Sequence, residues 1–310
     1  MLKLNIGLCS ALVSLCLIMP ANAKVSAKEY AEKTMQGMVE KDQNFTYNCQ
    51  GNDTKASCTA KKLVIHEILS INNIKFDYLI DNKNVNSSMD FDLQFKNLDS
   101  VTAEFMPKHI SCVSPSKLQD KLYQGQITCD ITSPSYSIQI KGAGSMESDR
   151  FVGKDSATIS EEFEALLDKL DSTEDIQKEL QDFKIDPREL VINVKGAQLG
   201  NKIFNAIKKE DPSYTREQYI AAINMGVAMV PVGLANAKTS ETTMEQITKA
   251  ATALGDIATS KKQQVTISFK RKSAVMLNLA DLPDFIEQID SDPLSLLKYL
   301  DEYQISTISR

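Results

Sequence analysis

Ile138-Gln139-Ile140-Lys141-Gly142 (IQIKG) belongs to a phrase that recurs along this chain, and its reading decides the fold. The other copies are Leu93-Gln94-Phe95-Lys96, Ile192-Asn193-Val194-Lys195, which continues into Gly196, and Ile267-Ser268-Phe269-Lys270. Apolar and polar residues alternate in each. A side-chain period of two means a strand with one buried face and one wet face. The intervals between copies are unequal, which excludes a solenoid repeat. Repeated half-buried antiparallel strands from one large curved sheet account for the pattern.

Working outward, period two extends from Phe45 to about Ile140, through Leu63-Val64-Ile65, Ile74 to Tyr78 and Phe91 to Phe95. The Asn-rich run Asp81 to Ser88 reads as a loop between two strands. Helical spacing marks Ala27 to Met38, with Tyr30, Met35 and Met38 as contacts, and Ser160 to Phe183. Gln198 to Lys209 reads as a helix that stops before Asp211-Pro212, and Thr215 starts the next one. Thr243-Met244-Glu245-Gln246 fits a capping box opening another amphipathic helix. Short closing helices are expected at Asp284–Ile289 and Leu294–Tyr303. The expected class is therefore α+β: a curved antiparallel sheet, an open half-barrel, covered by amphipathic helices. No linker composition divides the chain. One domain is expected from residue 24 to 310, with a helical layer at about 198–260.

Within that layer, Tyr219 to Ala237 (YIAAINMGVAMVPVGLANA) is a long apolar stretch interrupted by Asn224 and Pro231. A membrane span needs roughly 20 residues with fewer breaks. It reads first as a buried central helix, next as a lid over an apolar cavity, and last as a membrane-inserting hairpin. Gly226, Pro231 and Gly233 make it bendable, as a lid requires. Ile220, Ile223, Met225, Val227, Met229, Val230 and Leu234 are the candidate ligand contacts.

Residues 1–23 resemble a cleaved export signal. Lys3 supplies a positive start, Ile6 to Ile18 a short apolar core, and Ala21-Asn22-Ala23 the small residues that a signal peptidase reads. Leu8 and Leu15 precede Cys9 and Cys16, so neither cysteine has the small neighbour that lipidation requires. A periplasmic envelope domain with no transmembrane span is expected. The chain carries 35 basic and 41 acidic residues, a formal net charge of −6. This balance argues against nucleic acid and against docking on anionic lipid by a basic patch. The one basic triplet, Lys270-Arg271-Lys272, reads as a solvated turn.

Of six cysteines, two lie in the signal, leaving Cys49, Cys58, Cys112 and Cys129. An even count in an exported chain points to two disulfides. Cys49–Cys58 and Cys112–Cys129 are favoured over the other pairings because each brackets turn residues between alternating segments. Each closed loop stabilises by roughly 2.5–3 kcal/mol on the chain-entropy model. The spacings do not suit zinc. No nucleophile elbow, phosphate loop or dinucleotide fingerprint occurs, so no catalytic residue, cofactor or metal is assigned. His66 reads as a sheet residue and His109, beside Pro107, as a loop residue. Asn44-Phe45-Thr46 is a glycan acceptor with Asp42 two residues earlier, a form that resembles the acceptor of bacterial oligosaccharyltransferases.

The run Asn44 to Tyr78 resembles the N-terminal region of the JlpA-type surface adhesins, through Cys49, Cys58 and Asn73-Ile74-Lys75. That resemblance implies an unclosed half-barrel with a concave apolar basin, similar in shape to lipoprotein-carrier folds, a disulfide hairpin beside it, and a glycan at Asn44. Two functions follow as expectations. The first is a non-enzymatic envelope protein whose concave sheet binds an apolar small molecule, a lipid or acyl chain. The second is a surface adhesin or protein-interaction module recognising its partner through loops such as Asp81–Ser88. An enzyme would need a cleft joining acidic residues from distant segments.

Overall fold

The computed structural model describes residues 26–38, 45–65, 68–155, 159, 178, 180–235, 239–281, 288, 292 and 296–310. The chain starts with α1 (Ala27–Gly37) and β1 (Asn48–Gly51), then runs through β2 (Lys55–Ile65), β3 (Leu69–Ile80) and β4 (Asn84–Phe95). A short α2 (Ser100–Phe105) leads into β5 (His109–Gln119), β6 (Leu122–Thr132) and β7 (Ser137–Glu147). β8 (Lys184–Lys195) is followed by α3 (Leu199–Glu210), α4 (Arg216–Gly233) and α5 (Glu241–Ala258). β9 (Gln264–Arg271), β10 (Leu277–Asn278), α6 (Leu296–Leu300) and β11 (Tyr303–Ser309) complete it.

The strands form one sheet of eleven, every pair antiparallel, in the order β1 to β9 and then β11, with β10 on β8. β1 and β11 are its two edges and do not meet, so the sheet is unclosed. This agrees with the open sheet and α+β class expected from alternation. All four copies of the recurring phrase lie in strands or at a strand end, and those of β7, β8 and β9 are side by side: Ile140 faces Ile192, which faces Ile267.

The hairpins are short because polar side chains bind the turn backbone. Asn52 Oδ1 accepts from the N–H groups of Thr54 and Lys55, both at 3.0 Å. Asp81 Oδ1 does the same for Lys83 and Asn84, at 2.8 and 2.7 Å. These Asx turns reproduce a backbone turn without further residues. The Asp81 turn shortens the expected Asp81–Ser88 loop: β4 already starts at Asn84, with Val85 buried, and Val85–Ser88 pair on both sides. Gly51 has φ +152, and a Cβ there would meet Lys55 O at 2.2 Å, so the first turn needs glycine.

α1 is capped by Ser26, whose Oγ accepts from Glu29 N at 3.1 Å. Its first free N–H groups are taken by Asp53 O and Asn52 O, which fixes the helix to the β1–β2 turn. The apolar stripe Ala27, Tyr30, Ala31 and Met35 is buried on β1–β3, with the Tyr30 ring 4.4 Å from that of Tyr78. Burying Tyr30 and Met35 contributes about 1.5–3 kcal/mol each.

The other helices behave differently. α5 lays Ala253 and Ile257 on Val265, Ile267 and Ile305 of β9 and β11. Its N-cap is Ser240, whose Oγ accepts from Thr243 N at 3.2 Å, so the helix opens three residues before the expected capping box. The capping box falls instead at Thr215 and Gln218, where α4 begins. α4 packs on α5, not on the sheet: Val227 and Ile223 approach Gly255, where a Cβ would meet Val227 Cγ2 at 2.8 Å. The apolar stretch is therefore not a buried central helix; Met225 and Met229 are 64% and 55% exposed. No helix among the described residues is long and apolar enough to cross a membrane. Tyr303, expected to end a helix, starts strand β11. Most of the expected helices at Ser160–Phe183 and Asp284–Ile289 lies outside the described residues.

Candidate functional site

The registers join one face of all the long strands into a single surface. One row across it reads Cys49, Cys58, Phe76, Met89, Cys112, Cys129, Ile140, Ile192, Ile267 and Thr307, each directly opposite the next. Both disulfides lie in this row and link facing residues, with Cα separations of 4.0 Å for Cys49–Cys58 and 4.1 Å for Cys112–Cys129. A parallel row contains Phe91, Ile110, Ile131, Ile138, Val194 and Val265. We call this the inner face.

Burial along the inner face is uneven. From β2 to β6 it is closed: Cys58, Phe76, Met89, Phe91, Cys112 and Cys129 are all buried. At β9 and β11 it is closed again, by α5 over Val265, Ile267 and Ile305. Between these two caps, Ile138 and Ile140 of β7 and Ile192 and Val194 of β8 are half-buried, and Leu190 is 38% exposed. Gly142, between Ile127 and Leu190 in the register, adds no side chain to this strip. The result is a half-buried apolar strip two strands wide, called the trough below, between better-covered parts of the same face. Large side chains left wet in the middle of a core-forming surface mark a binding surface more often than isolated exposed apolars do.

At one end of the trough, the inner face passes to a small apolar cluster of Leu118, Phe151, Phe183 and Leu279 with Tyr123, Met146 and Ile185 around it. Beside that cluster β8 bulges against β7, the register shifting between Ala143 and Ser145. The bulge carries a buried ionic network. Arg271 Nη1 donates to Asp186 Oδ1 at 3.2 Å, and its Nε and Nη2 donate to Glu302 Oε2 at 3.3 and 3.1 Å. Arg188 pairs with the other Asp186 oxygen and donates to Ser273 O at 3.2 Å. Arg271 and Asp186 are buried, and charges removed from water persist only when paired in this way. The basic triplet expected as a solvated turn thus supplies a core ion pair.

The other expected positions fall as follows. Ile220, Ile223, Val227, Val230 and Leu234 are half-buried on or beside α4, which packs on α5 with Ile223 and Val227 at Gly255, whereas Met225 and Met229 face solvent. The main packing partner of α4 is α5. His109 begins β5 instead of lying in a loop, with Nδ1 3.0 Å from Asp92 Oδ1 and Nε2 3.3 Å from Asp90 Oδ2, on the outer face. Hydrogen bonds from Asn73 and His109 hold the Asp92 carboxyl below the usual range. His66 and Asn44 lie outside the described residues. No group of three or more His, Cys, Asp or Glu among the described residues is placed to hold a metal. A second, mainly apolar cleft lies between α5 and β11, lined among others by Met244, Thr248, Ala253 and Thr307 with Glu241 and Glu245 beside them, two strands along the inner face from β8.

Comparison with protein-family models and with curated proteins finds no match. The class that the fold itself defines is an unclosed, all-antiparallel sheet of eleven strands with a few helices.

Proposed function

We propose that the protein is a non-enzymatic carrier of the cell envelope that holds an apolar ligand, a lipid or acyl chain, on its inner sheet face. The observation that carries this reading is the drop in burial along one continuous row: Cys129 is buried, Ile140 and Ile192 are not, and Ile267 is buried again. An acyl chain laid across β7 and β8 would complete that row, gaining about 0.8 kcal/mol for each CH₂ removed from water. Two disulfides agree with an oxidising compartment, where the signal-like start would deliver the chain. The interaction-module reading loses support, because its recognition loop shrinks to the turn Asp81–Lys83.

The test is uptake of a fluorescent acyl-chain probe by protein purified without detergent, with native mass spectrometry of the same sample. Wild type is expected to carry or take up one amphiphile, and Ile140→Asn with Ile192→Asn to abolish uptake while the protein stays folded. Bare chain with no uptake, or uptake indifferent to both substitutions, would overturn the reading.

A further inference from the structure

On the trough reading, the ligand can be specified further, because the two ends of the trough differ in charge. Along β8 the inner-face positions run Val194, Ile192 and Leu190, and Arg188 follows in the bulge, where its guanidinium reaches Asp186, the partner of Arg271. Along β9 they run Val265, Ile267, Phe269 and then Arg271. Two adjacent apolar rows therefore end in guanidinium groups at the same end. At the opposite end Lys202 of α3 reaches the β6–β7 turn at Pro134 O and is held by Glu104 at 2.9 Å.

The two arginines are not equivalent. Arg271 is 2% exposed in its side chain and is fully occupied by Asp186 and Glu302. Arg188 is 41% exposed; its Nη atoms reach Ser273 O and Asp186, and its Nε has no partner among the described residues. A guanidinium offers five donors in a fixed planar fork, so Arg188 keeps donors available for a planar two-oxygen acceptor. The network holds two cations and two carboxylates, and is already neutral. A single extra negative charge can be accommodated beside Arg188, but a dianion would meet repulsion from Asp186 and Glu302.

We propose that the ligand is a long-chain fatty acyl carboxylate, with its chain along Leu190, Ile192 and Ile140 and its carboxylate on Arg188. From Arg188 to Val194 the strand spans about 20 Å at roughly 3.3 Å per residue. That is enough to lay out an extended acyl chain.

The experiment compares palmitate with 1-hexadecanol, which has the same chain and a neutral head, on the full exported chain below their aggregation thresholds. Wild type is expected to bind palmitate roughly tenfold more tightly, the scale of one charge-assisted hydrogen bond. Arg188→Gln should erase that preference and leave hexadecanol binding unchanged; Arg188→Lys, keeping charge without the fork, should restore part of it. Arg271 still pairs with Asp186 in both variants, so the fold is expected to survive, and thermal melts check it. Equal binding of both lipids by wild type, or a preference that survives Arg188→Gln, overturns the carboxylate assignment while leaving the trough. If neither lipid binds wild type, the trough reading fails and takes the assignment with it.

Discussion

The first six strands and the last five are built from the same alternating sequence, yet the two regions are closed in different ways. In β2–β6 the inner face is sealed by its own large side chains, by α1 and by two cross-strand disulfides; Phe76 and Phe91 are each 1% exposed. In β7–β11, among the described residues, α5 covers β9 and β11 with Leu300 of α6 beside it, while the inner residues of β7 and β8 stay half-buried. α4, the most apolar helix, is stacked outside α5. Alternation makes a face that wants covering; which part gets covered depends on where helices dock.

The contrast can be broken most sharply by truncation. Phe91→Ala should destabilise by about 3–5 kcal/mol, the range for deleting a buried ring, whereas Ile192→Ala in the trough should cost about 1 kcal/mol. Urea unfolding of the ligand-free protein measures both, and equal losses would mean that β7–β8 is packed core after all. Next in size is the disulfide of β5–β6: Cys112→Ser with Cys129→Ser should lose about 2–4 kcal/mol and expose β4–β6, not β9–β11, to protease. Peptide mapping of the digest tells the two apart.

The smallest effect concerns the hold on α5. Burial raises the Asp301 carboxyl, but hydrogen bonds from Ser240, Thr243 and Thr239 outweigh it and hold it at about 2, below its ordinary value of 3.8. A depressed carboxyl stabilises the fold above its ordinary value and stops doing so as pH falls toward 2. Melting temperatures of wild type and Asp301→Asn should therefore differ at pH 5 and converge near pH 2. Ser240→Ala, which removes the helix cap and a hydrogen bond to Asp301, should cost about 1 kcal/mol near pH 2 and more at pH 5. A gap between wild type and Asp301→Asn that persists at low pH would show that the carboxylate is not what anchors the helix.

Much of the sheet was legible because Ile-Gln-Ile-Lys and its relatives carry their face assignment in four residues. The disulfides were legible from the turn residues between the cysteines. The trough was not, since Cys129, Ile140, Ile192 and Ile267 become neighbours only through register. Asp81–Ser88 looked like a loop by composition, but pairing of Val85–Ser88 on both sides and the inward Val85 and Met89 override the weak strand preference of Asn and Ser. Arg271 continues the inward alternation of β9 by one step after Phe269, whereas Arg188 falls in the β8 bulge, where alternation assigns no face. The exposure of α4 could not be foreseen from its hydropathy, because an apolar helix is ordinarily buried.

The way β11 ends the sheet carries a further consequence. Its outward-facing N–H at Ile305 is already occupied by the side-chain amide oxygen of Gln246, 3.0 Å away, while the opposite border, β1, has only four residues and is pinned by Cys49. Strand borders invite neighbouring molecules to stack on and propagate. A plug on one side and a stub on the other shorten the length of border open to such stacking.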